Sequence, residues 1–88
     1  MPTLADFRRS YSFSPAHDGK HKYIATEKNT GRSVMFGDIN YQQYKDRLGH
    51  YSSLDHHDEK RRESFRIRSN RFKDDIGSAG WFAYHLLW

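Results

Sequence analysis

The stretch "KYIATEKNTGRSVMFGD", residues 22–38, constrains the fold more than any other part of the chain. Two short runs rich in β-branched and aromatic residues flank Asn29-Thr30-Gly31, the pattern of a β-hairpin with a loop of about four residues. If Glu27 lies across from Arg32, the register sets Ala25 opposite Val34 and Tyr23 opposite Phe36. Side chains alternate along a strand, so Tyr23, Ala25, Val34 and Phe36 then share one face, and that face needs a cover. An isolated hairpin is marginal in water, which predicts helices packed on it.

Composition says what that packing must be made of. Hydrophobic residues are 35% of the 88, yet aromatic residues are 16%, so rings must supply most of the core. Phe, Tyr and Trp bury much area per position, which makes a single small domain feasible despite the polar average. There is no cysteine, which removes disulfides and thiolate metal sites as supports. No apolar leader opens the sequence, and nothing approaches the roughly 20 apolar residues of a membrane span, so a soluble, non-secreted protein is expected. The formal charge of +4 and pI near 9.5 favour an acidic partner.

Residues 1–20 lack helical periodicity and hold Pro2, Pro15 and Gly19, which reads as an irregular arm ahead of one α+β domain over 21–88. Phe7, Tyr11 and Phe13 in that arm, with Trp88 at the other end, are candidate partner-binding rings, since aromatic residues dominate interface hot spots. In "DINYQQYKDRLG", Asp38 or Asn40 offers a cap, Gly49 a stop, and Tyr41, Tyr44 and Leu48 recur at helical spacing, predicting a short helix. A longer helix follows, capped by Ser52, Ser53 or Asp55, with acids early and Arg66, Arg68 and Arg71 late, as a helix dipole favours. The final "GSAGWFAYHLLW" reads as a buried helix capped by Ser78 or as a strand. The expected fold is therefore α+β, one hairpin packed against two or three short helices.

Chemistry concentrates in "LDHHDEKRRESFRIRS", residues 54–69. His56 and His57 are adjacent, so on a helix they diverge by about 100° and do not share one ion; no metal or cofactor is expected. No nucleophile elbow, phosphate-binding glycine loop or HExxH pair organises the Ser, His and Asp residues, so no catalytic residue is assigned and the protein reads as non-enzymatic. Asp58 precedes Arg61 and Arg62 by three and four positions, which predicts a structural ion network among the three; Glu59 reaches Arg62 in the same way. Leu54, Arg61, Phe65, Arg68 and Phe72 fall near one helix face. Lys60, Arg66, Arg68, Arg71 and Lys73 are candidate phosphate contacts if the partner is nucleic acid.

Taken together, "FGDINYQQYKD", "DHHDEKRRESFRIRS" and "AGWFAYHLLW" resemble an uncharacterised family of small basic proteins encoded by large double-stranded DNA viruses. The matching positions are Phe36, Gly37, Tyr44, His56, Asp58, Arg61, Arg62, Phe65, Arg68, Ala79, Gly80, Trp81, Leu87 and Trp88, within residues 33–88. The chain departs from the pattern at Arg68-Ser69, where the family tends to have Arg-His. The resemblance implies a viral protein found in the virion or the infected-cell interior, and brings no catalytic residue with it. The expected function is a structural adaptor, a minor capsid or other virion component that binds capsid or virion proteins; a nucleic-acid-binding module is the alternative.

Overall fold

In the computed structural model, which describes residues 3–88, the hairpin forms in the expected register. Strands β2 (His21–Glu27) and β3 (Ser33–Asp38) pair antiparallel with Tyr23 opposite Phe36 and Ala25 opposite Val34. The Glu27 N–H donates to the Arg32 carbonyl at 2.8 Å, and Gly31 takes the left-handed conformation (φ 74°) that closes the loop.

The arm is folded, which corrects the expectation for residues 1–20. Helix α1 (Leu4–Ser10) starts on a capping box, in which Thr3 Oγ1 accepts from Asp6 N–H and Asp6 accepts from Thr3 N–H. Strand β1 (Tyr11–Pro15) then adds to β2, giving a three-stranded antiparallel sheet in the order β1-β2-β3. Tyr11 and Phe13 share the face of Tyr23 and Ala25, while Ser12 and Ser14 point to water. The alternation in "YSFSP" is thus a half-buried strand.

Residues 79–86 form α3 (Ala79–Leu86), with the Ser78 hydroxyl accepting from Trp81 N–H at 3.1 Å. This helix covers the sheet. Phe82 stacks on Phe36 with 5.2 Å between ring centres and meets Tyr11 edge-on at 4.9 Å, while Phe7 of α1 closes the far side against Trp81 at 4.8 Å. Tyr23, Phe36, Phe82, Leu86 and Leu87 are almost wholly buried. The α+β class stands, and rings do make the core.

Between β3 and the basic helix the expected helix over residues 38–49 does not form. The chain instead makes turns and a short 3-10 turn, Ser52–Leu54, organised about buried polar groups. Asp46 accepts from the Tyr23 hydroxyl at 2.5 Å, Tyr51 N–H at 2.8 Å and Leu48 N–H at 2.9 Å. Asp55 accepts from Gln43 Nε2 at 2.6 Å and Asp46 N–H at 2.8 Å. These bonds satisfy backbone donors that a helix would have used internally, and Tyr41, expected on its apolar stripe, lies exposed. The basic helix α2 (Glu59–Arg68) consequently begins later than expected, with Asp58 as its cap. A 3-10 turn, Asn70–Asp74, joins it towards α3.

Candidate functional site: a basic groove between sheet and helix

Helix α2 buries none of its residues, so charge and stacking hold it where a hydrophobic stripe ordinarily would. Phe65 lies flat on the Trp88 indole, 4.4 Å between centres and 8° between planes. The Trp88 carbonyl accepts from Arg62 Nε at 2.9 Å and Arg66 Nη2 at 3.1 Å. Arg62 also rests over the Tyr44 ring and Arg66 over the Tyr84 ring, at 4.7 and 4.9 Å. Arg47 is pushed below its ordinary pKa by burial and by the neighbouring Arg62 and Arg66 charges.

The ion network expected at Asp58, Arg61 and Arg62 is not what these residues build. At the cap position the Asp58 carboxylate is aimed at the first turn, accepting from Lys60 N–H at 3.0 Å and Arg61 N–H at 3.3 Å. Arg62 pairs instead with Glu59 at 3.7 Å, as its spacing allows, and Arg61 donates to Gln42 Oε1 at 2.9 Å. Glu59 accepts in addition from the Tyr44 hydroxyl at 2.5 Å, which raises the phenol's pKa. His56 Nδ1 accepts from Asp58 N–H at 2.9 Å, and burial lowers the pKa of this imidazole. His57 adopts a left-handed backbone (φ 53°) just ahead of the cap.

Because α2 stands off the sheet, an open groove of about 1290 Å³ separates the two. One wall is β3 with the start of β2, the other is α2, and between them runs the α3 surface of Ala79, Gly80, Ala83 and Leu87. Small residues at these helical spacings let the floor lie deep. Phe72 rests directly on Gly80, where an added Cβ would overlap its ring. Arg61, Phe65, Arg68 and Phe72, four of the five residues that share a face by spacing, all line the groove.

Its charge is one-sided. Lys20, Lys22, Lys60, Arg61 and Arg68 line it, and Asp38 is the one acid to do so among the described residues. Lys22 is only 1% exposed, and its ammonium donates to the Tyr41 carbonyl at 2.6 Å. Burial lowers its pKa, with partial compensation from Asp46, Asp38 and Asp55.

The groove sorts the residues singled out by sequence. Lys60 and Arg68 are on it; Arg71 covers the Phe72 ring at 4.7 Å and, like Lys73, lies beyond the helix, exposed. Arg66 is turned inward to Trp88 and Tyr84, a correction to its expected place on an outer phosphate-facing surface. Phe7, Tyr11 and Phe13, expected as partner-binding rings, pack on the domain's own core instead: α1 buries Phe7, and β1 turns Tyr11 and Phe13 onto the sheet's covered face, where they are partly buried. Of the four partner-binding candidates Trp88 alone reaches the groove. Lys20, Lys22 and the α3 floor had no signal in the sequence pointing to a site.

Among the described residues no helix is long and apolar enough to cross a membrane. Compared with known proteins, the chain matches no family model, no curated protein and no solved structure.

Proposed function

We propose that the protein is a non-enzymatic adaptor that docks an acidic segment of a partner protein in the groove between β3 and α2. The observation that carries this reading is the lining: Lys20, Lys60, Arg61 and Arg68 surround a floor of rings and small side chains, with Asp38 as its sole acidic side chain among the described residues. At about 1290 Å³ the groove exceeds the roughly 300–1,000 Å³ of small-molecule pockets, which favours a stretch of polymer over a metabolite. Cations at a rim give on-rate and selectivity, and an apolar floor gives the affinity that survives salt. The viral resemblance adds a setting to this proposal, a minor capsid or other virion component that engages virion proteins.

A second reading, a nucleic-acid-binding module, has one observation in its favour: Phe65 and Trp88 lie together beside Lys60 and Arg68, a ring-and-cation combination suited to a single strand. A duplex fits less well, because the cations lie along a concave groove and Arg66 is spent inside the domain.

Competition between fluorescent polyglutamate and random-sequence single-stranded DNA, across about 50–300 mM salt, separates the two. Polyglutamate binding that is lost in Arg61→Glu/Arg68→Glu supports the adaptor. Preferential DNA binding with a steep salt slope replaces it with the second reading, and binding of neither overturns both.

A further inference from the structure

The wall opposite α2 is a sheet edge. β3 is the last strand, paired with β2 on one side only, and its second half, Met35 to Asp38, lines the groove. With Glu27 N–H bonded to the Arg32 carbonyl, the antiparallel alternation turns the backbone groups of Arg32, Val34 and Phe36 towards β2 and those of Ser33 and Met35 outward.

Sheet edges are ordinarily blunted by charge, proline or a covering segment, since unpaired N–H and C=O groups recruit other strands. The β1 edge is blunted: the bonds of Lys28 N–H to Ser10 and of Ala16 N–H to Lys22 turn the backbone of Tyr11, Phe13 and Pro15 outward, and Pro15 has no N–H to offer there. From Ser33 to Gly37 the β3 edge carries neither charge nor proline. Its Met35–Gly37 part lines the groove and faces the cationic side of α2 across it, while Ser33 and Val34 continue the same edge beyond the lining.

Resting on the groove reading above, we infer that the occupant is an extended acidic segment that adds to β3 as a fourth strand. Main-chain bonds to Ser33 and Met35 hold it. Its alternate side chains divide between the floor formed by Ala79, Ala83 and Phe65 and the rim formed by Lys60, Arg61 and Arg68. A strand added to a sheet edge takes affinity from its backbone and selectivity from every second side chain, so the partner motif is an alternation of acidic and apolar residues. A helix would leave the β3 edge unpaired, and a nucleic-acid strand carries no matching ladder of donors and acceptors.

The test uses the full chain and a peptide of about ten residues alternating Glu and Val, long enough to run past β3. Its controls are the same peptide N-methylated at alternate backbone nitrogens and a Lys/Val peptide. Expected are binding by the Glu/Val peptide, slowed amide exchange at Ser33 and Met35, a loss of about tenfold or more on N-methylation, and no binding by Lys/Val. Equal binding after N-methylation, with exchange at Ser33 and Met35 unchanged, overturns strand addition while leaving the acidic groove standing. No peptide binding together with Arg61→Glu/Arg68→Glu-sensitive DNA binding overturns both. Protection of the same amides by concentration-dependent dimerisation makes the occupant a second copy and overturns the acidic-segment proposal, as does absence of any binding.

Discussion

Between the sheet and α3 the bulkiest buried apolar side chains are rings, Tyr23, Phe36 and Phe82, which meet other rings, with Ala25, Leu86 and Leu87 filling in around them. Across residues 39–58 the buried side chains are Gln43 and Asp46, and they meet backbone N–H groups, a hydroxyl, a carbonyl and the Asp55 carboxylate. The first region gains by removing apolar area from water, a non-directional term that tolerates small shifts. The second gains through directed bonds whose loss leaves buried groups unsatisfied, so it is intolerant of change although each bond contributes little net. Tyr23 belongs to both, its ring stacked on Phe36 and its hydroxyl on Asp46, and burial with that bond raises the phenol's pKa. α2 joins neither core; it hangs on the polar region at its start and on Trp88 along its length.

Substitutions can break this contrast at graded cost. Phe82→Ala opens a cavity where the rings of Tyr11, Phe13 and Phe36 converge, and should cost about 3–5 kcal/mol in a denaturant titration. A loss under about 1 kcal/mol would mean that the rings do not form one core. Asp46→Ala strips the acceptor from Tyr23, Leu48 and Tyr51 and should cost about 2–4 kcal/mol. If it costs less than Asp58→Ala, the polar region is not the directed framework described. Asp58→Ala removes a cap, for about 1 kcal/mol.

The mildest effect is one of pH. Burial lowers the pKa of His56 in the folded state from the ordinary 6.5, with Arg61 and His57 adding repulsion and Asp58 and Asp55 opposing it. Neutral imidazole is what accepts from Asp58 N–H. The unfolded chain therefore takes up this proton first, and the stability held above pH 6.5 declines as pH falls towards the folded value. The melting temperature should drop between pH 7.5 and about 5, and His56→Asn should flatten the drop. An unchanged slope in the variant would place the titration elsewhere.

The parts of this fold legible in the sequence are those where a short-range rule decides. Asn29-Thr30-Gly31 set the hairpin register, and the i, i+3, i+4 spacing of Arg61, Phe65, Arg68 and Phe72 marked the face that lines the groove; for the last segment the sequence left a helix capped by Ser78 and a strand both open, and the helix forms. Two local signals were there to be read in the arm, the Thr3-x-x-Asp6 capping box and the alternation of "YSFSP". The segment after β3 misleads because Tyr41, Tyr44 and Leu48 imitate a helical stripe, while the decisive partners of Gln43, Asp46 and Asp55 are mostly backbone groups, identical at every position of a sequence. The same holds for the site. Arg66 is drawn inward by a main-chain carbonyl, and Lys20 and Lys22 join α2 only through tertiary packing.

Gly80 sits near the start of α3, where alanine would favour the helix by about 1 kcal/mol. The ring of Phe72 occupies the place of the missing methyl, and both residues line the groove. The ring's depth therefore acts as a gauge: one absent carbon atom determines how far Phe72 sinks into α3 and how much clearance remains above it. Any side chain introduced at Gly80 would lift the ring, so the aperture of the groove is written into the sequence at a position that offers a ligand no chemistry of its own.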